Sequence, residues 1–151
     1  KGIKGSHQAV AETIENNVRQ KIIKDHLLDP AFFEEMSTLL NEIIKERKAN
    51  AVSYEEYLKK IADIASKVQS GKSGSLPDEI KTPAQRALYN NLGQNVEKTI
   101  AMDTAVKYAR QDSWRGNDPK EKLIKGAIYD ILNDVDEVER IFAIIKQQRE
   151  Y

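Results

Sequence analysis

Apolar residues recur along this chain at three- and four-residue steps, the period of one face of an α-helix. Val10, Ile14, Val18 and Ile22 step by four, and Ile23 and Leu27 widen that stripe. Asp29-Pro30 restarts the chain, because Asp is a good N-cap and Pro at a first helical position loses nothing by lacking an N–H. Phe32, Phe33, Met36, Leu39, Leu40, Ile43 and Ile44 then predict a second helix with a broad buried face. "SYEE", residues 53–56, is a capping box, and behind it Tyr54, Tyr57, Leu58, Ile61, Ile64, Ala65 and Val68 keep the step.

The rhythm stops at "QSGKSGSLPDE", residues 69–79, where glycines and serines predict a flexible linker. "TPAQ", residues 82–85, is a second capping box with Pro in the first turn, and it opens a short fourth helix that stops near Gly93. A fifth helix runs through Val96, Ile100, Ala101, Met102, Ala105, Val106 and Ala109. Asp118-Pro119 opens a sixth, with Leu123, Ile124, Ala127, Ile128, Ile131 and Leu132. Val135, Val138, Ile141, Phe142 and Ile145 mark a last one, ending in polar "KQQREY". No stretch alternates apolar and polar residues convincingly, and no repeat has a fixed period. The expected fold is all-α, about seven helices, with a three-helix N-terminal part and a four-helix C-terminal part forming one domain over residues 8–151. "KGIKGSH", residues 1–7, begins with Lys and reads as a cloning or fusion remnant.

Composition removes several function classes. Cysteine is absent, so no disulfide framework and no Cys-based zinc site can form. Of two histidines, His7 lies in the expected leader and His26 near a helix end, where positive charge complements the helix dipole. Zinc hydrolysis and nucleophile–His pairs therefore lack parts. The longest apolar run, "IFAII" at 141–145, is far short of the ~20 residues a membrane helix needs. With 24 basic and 24 acidic side chains, any electrostatic partner has to be met by a local patch.

Two catalytic look-alikes fail on geometry. "SGKSGS" suggests a nucleotide loop, but Ser66 stands where a Walker A motif needs its first Gly, inside a predicted helix with no strand ahead. "LPDEIK" suggests the acidic pair and Lys of a metal-dependent nuclease. Adjacent Asp78 and Glu79 diverge, however, and no strand supports them. Asp134, Asp136, Glu137 and Glu139 sit where a helix starts, where negative charge is stabilising in itself. No catalytic or metal-binding residue is expected in this chain.

The one tryptophan is the odd feature. Trp114 stands in "ARQDSWRGNDPK", 109–120, with no apolar neighbour. Lys107, Arg110, Gln111 and Trp114 fall along one side of a continued fifth helix, Arg115 follows, and Gly116-Asn117 permits positive φ. Lys120, Lys122 and Lys125 come next, giving six basic and three acidic residues between 107 and 125. One reading is a phosphate-binding patch in which Trp114 and Arg115 stack or brace a groove. The plainer one has Trp114 fold back to seal the edge of the core while its cationic neighbours stay solvated. Both can hold together, since a turn fixed by Trp114 would present the cations.

Several strings, in order, carry a resemblance: "AVAETIENNVRQKIIKD" (9–25), "PAFFEEMSTLLNEIIKERK" (30–48), "SYEEYLKKI" (53–61), "TPAQRALYNNLG" (82–93), "DSWRGNDPKEKLIKGAI" (112–128) and "DEVERIFAIIKQQREY" (136–151). Together they resemble the C-terminal region of the motor (R) subunit of type I restriction enzymes. The resemblance implies a bacterial, cytoplasmic parent subunit that hydrolyses ATP with Mg, translocates DNA and cuts it as a type I site-specific deoxyribonuclease. Its catalytic motifs belong to earlier parts of the polypeptide, so no cofactor is expected in this one. The implied role is to dock the motor on the methyltransferase and specificity subunits, with sequence-independent contact to double-stranded DNA and none to membrane. Carried onto this chain, the DNA-contact candidates are Lys107, Arg110, Trp114, Arg115, Gly116, Asn117, Lys120, Lys122 and Lys125. The alternative is a purely protein–protein interaction module, favoured by the neutral charge and by the aromatic and aliphatic faces of the second and third helices.

Overall fold

A computed structural model gives the fold and describes residues 5–151; the first four residues of the expected leader lie outside the described residues. The helices are α1 (Ser6–Asp25), a 3-10 turn (His26–Leu28), α2 (Pro30–Lys48), α3 (Tyr54–Ser70), α4 (Pro83–Asn91), α5 (Val96–Ala109), α6 (Asp118–Leu132) and α7 (Val135–Lys146). The described residues contain no strand, and the fold is all-α as the periodicity predicts. Ser6 and His7, read from sequence as leader, form the first turn of α1, and the His7 ring stacks on Tyr54 with centroids 3.9 Å apart.

The chain divides into two compact units. The first runs to His26 and resumes over Phe32–Gly74. Its core gathers Phe32, Phe33, Met36 and Leu40 of α2 with Tyr57, Ile61, Ile64 and Val68 of α3. α1 buries Ala11, Glu15, Val18 and Ile22. That stripe is rotated from the expected one, because Val10 and Ile23 are exposed and Ile14 is only half-buried. The reason is a charge. Glu15 lies inside, its carboxylate accepting from Arg47 Nε at 2.6 Å and Arg47 Nη2 at 2.9 Å, with the Tyr57 hydroxyl 2.8 Å away. The side chains of Arg47 and Glu15 are only 4% and 6% exposed. The hydrogen bond to Glu15 raises the Arg47 pKa further, and burial, then the same carboxylate, pushes the Tyr57 hydroxyl up. A pair sealed this deeply holds together only while both partners are present.

The expected capping box at Ser53 is made in both directions with Glu56, and α3 ends on Gly71 at φ 77°, the left-handed position where glycine costs least. Residues 72–75 are exposed and outside any helix.

The second unit comprises Leu27–Ala31 and Ser75–Tyr151. Within it α5 packs on α4 and α6, and α7 on α4 and α6. Ala84, Leu88, Met102, Val106, Trp114, Ile124, Ile128, Ile141, Phe142 and Ile145 belong to one core. Each helix starts on a side-chain acceptor: Thr82 for α4, Asn95 for α5, Asn117 for α6 and Asp134 for α7. Such caps satisfy N–H groups that the helix itself leaves open. The short Leu27–Ala31 segment is held by polar contacts. Asn90 and Asn91 donate to the Asp29 carboxylate at 2.8 Å, and Ala31 N–H donates to Asn91 Oδ1.

Candidate functional site

The segment between α5 and α6 is built by its caps. Arg110 leaves the helix in extended backbone at ψ 145°. The chain then turns through Ser113 and Gly116, both with positive φ, and Asn117 accepts from Lys120 N–H to start α6. The N–H of Gly116 donates to Glu121 Oε2 at 2.8 Å. That bond, and then the Lys146 ammonium, hold the Glu121 carboxyl below its ordinary pKa.

Trp114 points inward and is 3% exposed. Its ring packs 5.8 Å from Phe142 of α7, and its indole N–H donates to the Tyr151 carbonyl at 3.0 Å. The Arg115 guanidinium carbon lies 4.4 Å from the Trp114 ring centroid. From there Arg115 donates to the carbonyls of Lys146 and Gln148, while Arg110 donates to that of Glu150. Trp114, Arg110 and Arg115 thus close on residues 146–151 as a clasp. Tyr151 reaches back to Asp103, and burial, then this bond, raise its hydroxyl pKa.

The remaining candidates also have partners inside the chain. Lys107 pairs with Asp103 at 3.2 Å, and Lys120 donates to the Asp112 carbonyl at 2.6 Å. Lys125 pairs with Glu139 at 3.2 Å and lies over the Phe142 ring. Lys122 pairs with Asp118 at 3.5 Å, and its side chain stays 75% exposed. Two expectations change. Trp114 offers no open face to a nucleotide base, because both its ring and its N–H are used in the core. The cations beside it are not simply solvated, since Arg110, Arg115 and Lys120 hold backbone carbonyls. An open depression of about 640 Å³ remains beside the clasp, lined by Arg110, Gln111, Asp112, Ser113, Trp114, Arg115 and Tyr151.

Sequence reasoning missed the other half of this arrangement. "KQQREY" looks like a polar tail, yet Gln148 and Tyr151 are buried, and Gln148 Nε2 donates to the Leu28 carbonyl. The only available signal was Tyr151, an aromatic residue after five polar ones. No side-chain cluster able to hold a metal ion occurs among the described residues. None of their helices is long and apolar enough to cross a membrane. The apolar faces of α2 and α3, taken from the sequence as favouring a protein partner, are largely consumed by the first unit's own core.

Comparison with family models, curated proteins and solved structures finds no match to this chain.

Proposed function

We propose that this chain is a non-catalytic, all-helical assembly module that works through protein–protein contact. The observation that carries this reading is the internal engagement of the cations around Trp114. Three of them grip the chain's own carbonyls and three pair with its carboxylates, so at every one but the exposed Lys122 a polyanion would have to displace those partners. A formal charge of zero supports the same choice. Large apolar side chains are meanwhile left exposed on α1, α5, α6 and α7, among them Ile23, Tyr108, Leu123 and Val135. Desolvating such groups is what stabilises a protein interface.

The resemblance to the C-terminal region of type I restriction motors names the partner. In this proposal the module docks the motor on the methyltransferase–specificity core, while ATP hydrolysis, translocation and DNA cleavage reside elsewhere in the parent polypeptide. Co-purification of the chain with that core tests it. Retention that survives raised salt supports the reading; no retention at any salt concentration overturns it.

Direct DNA contact is the second reading, favoured by Lys122. Its exposed i,i+4 pair with Asp118 is worth little and would not hold the ammonium back from a phosphate. Contacts of this kind are sequence-independent and strongly salt-dependent. Charge reversal at Lys122 and Lys125 separates the readings, because it abolishes DNA retention in the second and spares docking in the first.

A further inference from the structure

α6 carries an exposed stripe on the side turned away from its core, where the one internal contact is the loose Lys122–Asp118 pair at 3.5 Å. Pro119, Lys122, Leu123, Gly126, Tyr129 and Asp130 are all exposed, with Leu123 at 51% and Tyr129 at 44%. At 3.6 residues per turn they form one band about 120° wide, centred on Gly126. The opposite side of the helix faces the core through Ile124 and Ile128.

Gly126 is the anomaly. Glycine inside a helix is unfavourable compared with alanine, because it has more conformational freedom to lose. Here the φ is ordinary, and a Cβ added at this position would meet nothing within 4 Å. Nothing inside the chain therefore requires the missing side chain. Close approach of a backbone from outside would require it, as where two helices cross at a small residue.

The residues around Gly126 indicate which helix would approach. An antiparallel copy of α6, related by a two-fold axis level with Gly126, brings together positions whose numbers are symmetric about 126. Lys122 comes level with Asp130 of the second copy, and Leu123 with Tyr129. Each relation occurs twice, as an isologous contact demands. Lys122 also lies on the same flank as the second copy's Tyr129, where an ammonium beside a phenol ring is favourable. A parallel arrangement would instead put Lys122 beside Lys122 and Asp130 beside Asp130, which like-charge repulsion disfavours.

We infer that the α6 stripe is a self-association surface, at which two copies of this chain cross antiparallel with their helices closest at Gly126. The surface stands whether or not the module docks a restriction motor. A stripe on one helix buries less than the roughly 800 Å² per partner of a standard interface, so the dimer is weak and depends on concentration.

Sedimentation equilibrium of the 151-residue chain over a range of concentrations tests the inference. A monomer–dimer equilibrium is expected, weakened by added salt. Lys122→Glu raises the dissociation constant at least about tenfold, and adding Asp130→Lys to the same chain restores dimerisation. Gly126→Leu retains the helical circular dichroism and melts no lower, since its side chain has open space and a better helix propensity, yet it yields monomer. A chain that stays monomeric at every concentration overturns the inference. So does a dimer indifferent to Gly126→Leu and to the charge swap.

Discussion

The indole N–H of Trp114 donates to the backbone carbonyl of Tyr151, 3.0 Å away and 37 residues later in the chain. This bond accounts for a tryptophan in a polar turn. The turn's local sequence offers it no apolar neighbour, but α7 supplies Phe142 and Tyr151 supplies an acceptor. Trp114→Ala is expected to cost roughly 3–5 kcal/mol of stability, the range for emptying a large buried aromatic site. Trp114→Phe keeps much of the volume and loses the hydrogen bond, so its cost is smaller. Urea unfolding of both variants checks the order; equal, negligible effects would show that the ring is not structural.

The clasp also makes residues 147–151 part of the core. Deleting residues 147–151 removes the carbonyls of Gln148, Glu150 and Tyr151 that Arg115, Arg110 and Trp114 hold. The expected outcome is a red-shifted Trp114 emission, as water reaches the ring, together with a lower melting temperature. An unchanged emission spectrum would contradict the arrangement.

Glu15 and Arg47 lie buried in bidentate contact, so each alone is costly to remove. Glu15→Leu leaves the guanidinium buried without its carboxylate and is expected to destabilise by about 3–5 kcal/mol. Glu15→Leu combined with Arg47→Met removes both charges and recovers most of that loss. Chemical denaturation of the two single variants and the double variant closes the cycle. Additive losses would refute the coupling.

Tyr57 and Tyr151 both have hydroxyls whose pKa is raised in the fold, chiefly by burial. An unfolded tyrosine ionises near pH ~10. Above that point the unfolded chain gives up protons that the folded one keeps, which favours unfolding. Stability is therefore full below pH ~10 and falls above it, by up to about 1.4 kcal/mol per pH unit for each tyrosine. The urea midpoint followed through the alkaline range reads this slope. Tyr57→Phe reduces it, because phenylalanine has no proton to lose.

Trypsin distinguishes an open segment from a clasped one. Lys72 is exposed in a non-helical stretch, whereas Arg110 and Arg115 are tied to carbonyls. Brief digestion is expected to cut first after Lys72. A first cut at Arg110 or Arg115 would indicate that the clasp opens readily.

Much of this was legible in the chain. Helix positions follow from apolar steps and from the capping boxes at Ser53 and Thr82, because these signals are local; the sixth helix, expected to open at Asp118-Pro119, takes its cap one residue earlier, from Asn117. The α1 stripe was misplaced because Glu15 looks like a surface residue until Arg47, 32 positions away, supplies its counter-charge. Leu27–Ala31 belongs to the second unit through Asn90 and Asn91, some 60 residues later, for which no periodicity gives a sign. The Trp114 turn was recognised as unusual, and of the two readings the inward one describes the ring. What the sequence hid was the acceptor set: carbonyls of residues 146–151 carry no side-chain signature.

Titration of the chain with plain duplex DNA at low and rising salt, followed through Trp114 emission and a direct binding signal, tests the central claim most directly. If the cations around Trp114 serve the chain's own carbonyls and carboxylates, the emission is blue-shifted and duplex leaves it unchanged, with little or no binding. A contrary result would be binding whose logarithm falls with log salt at a slope of about −5, the value for six engaged phosphates, accompanied by a change in Trp114 emission.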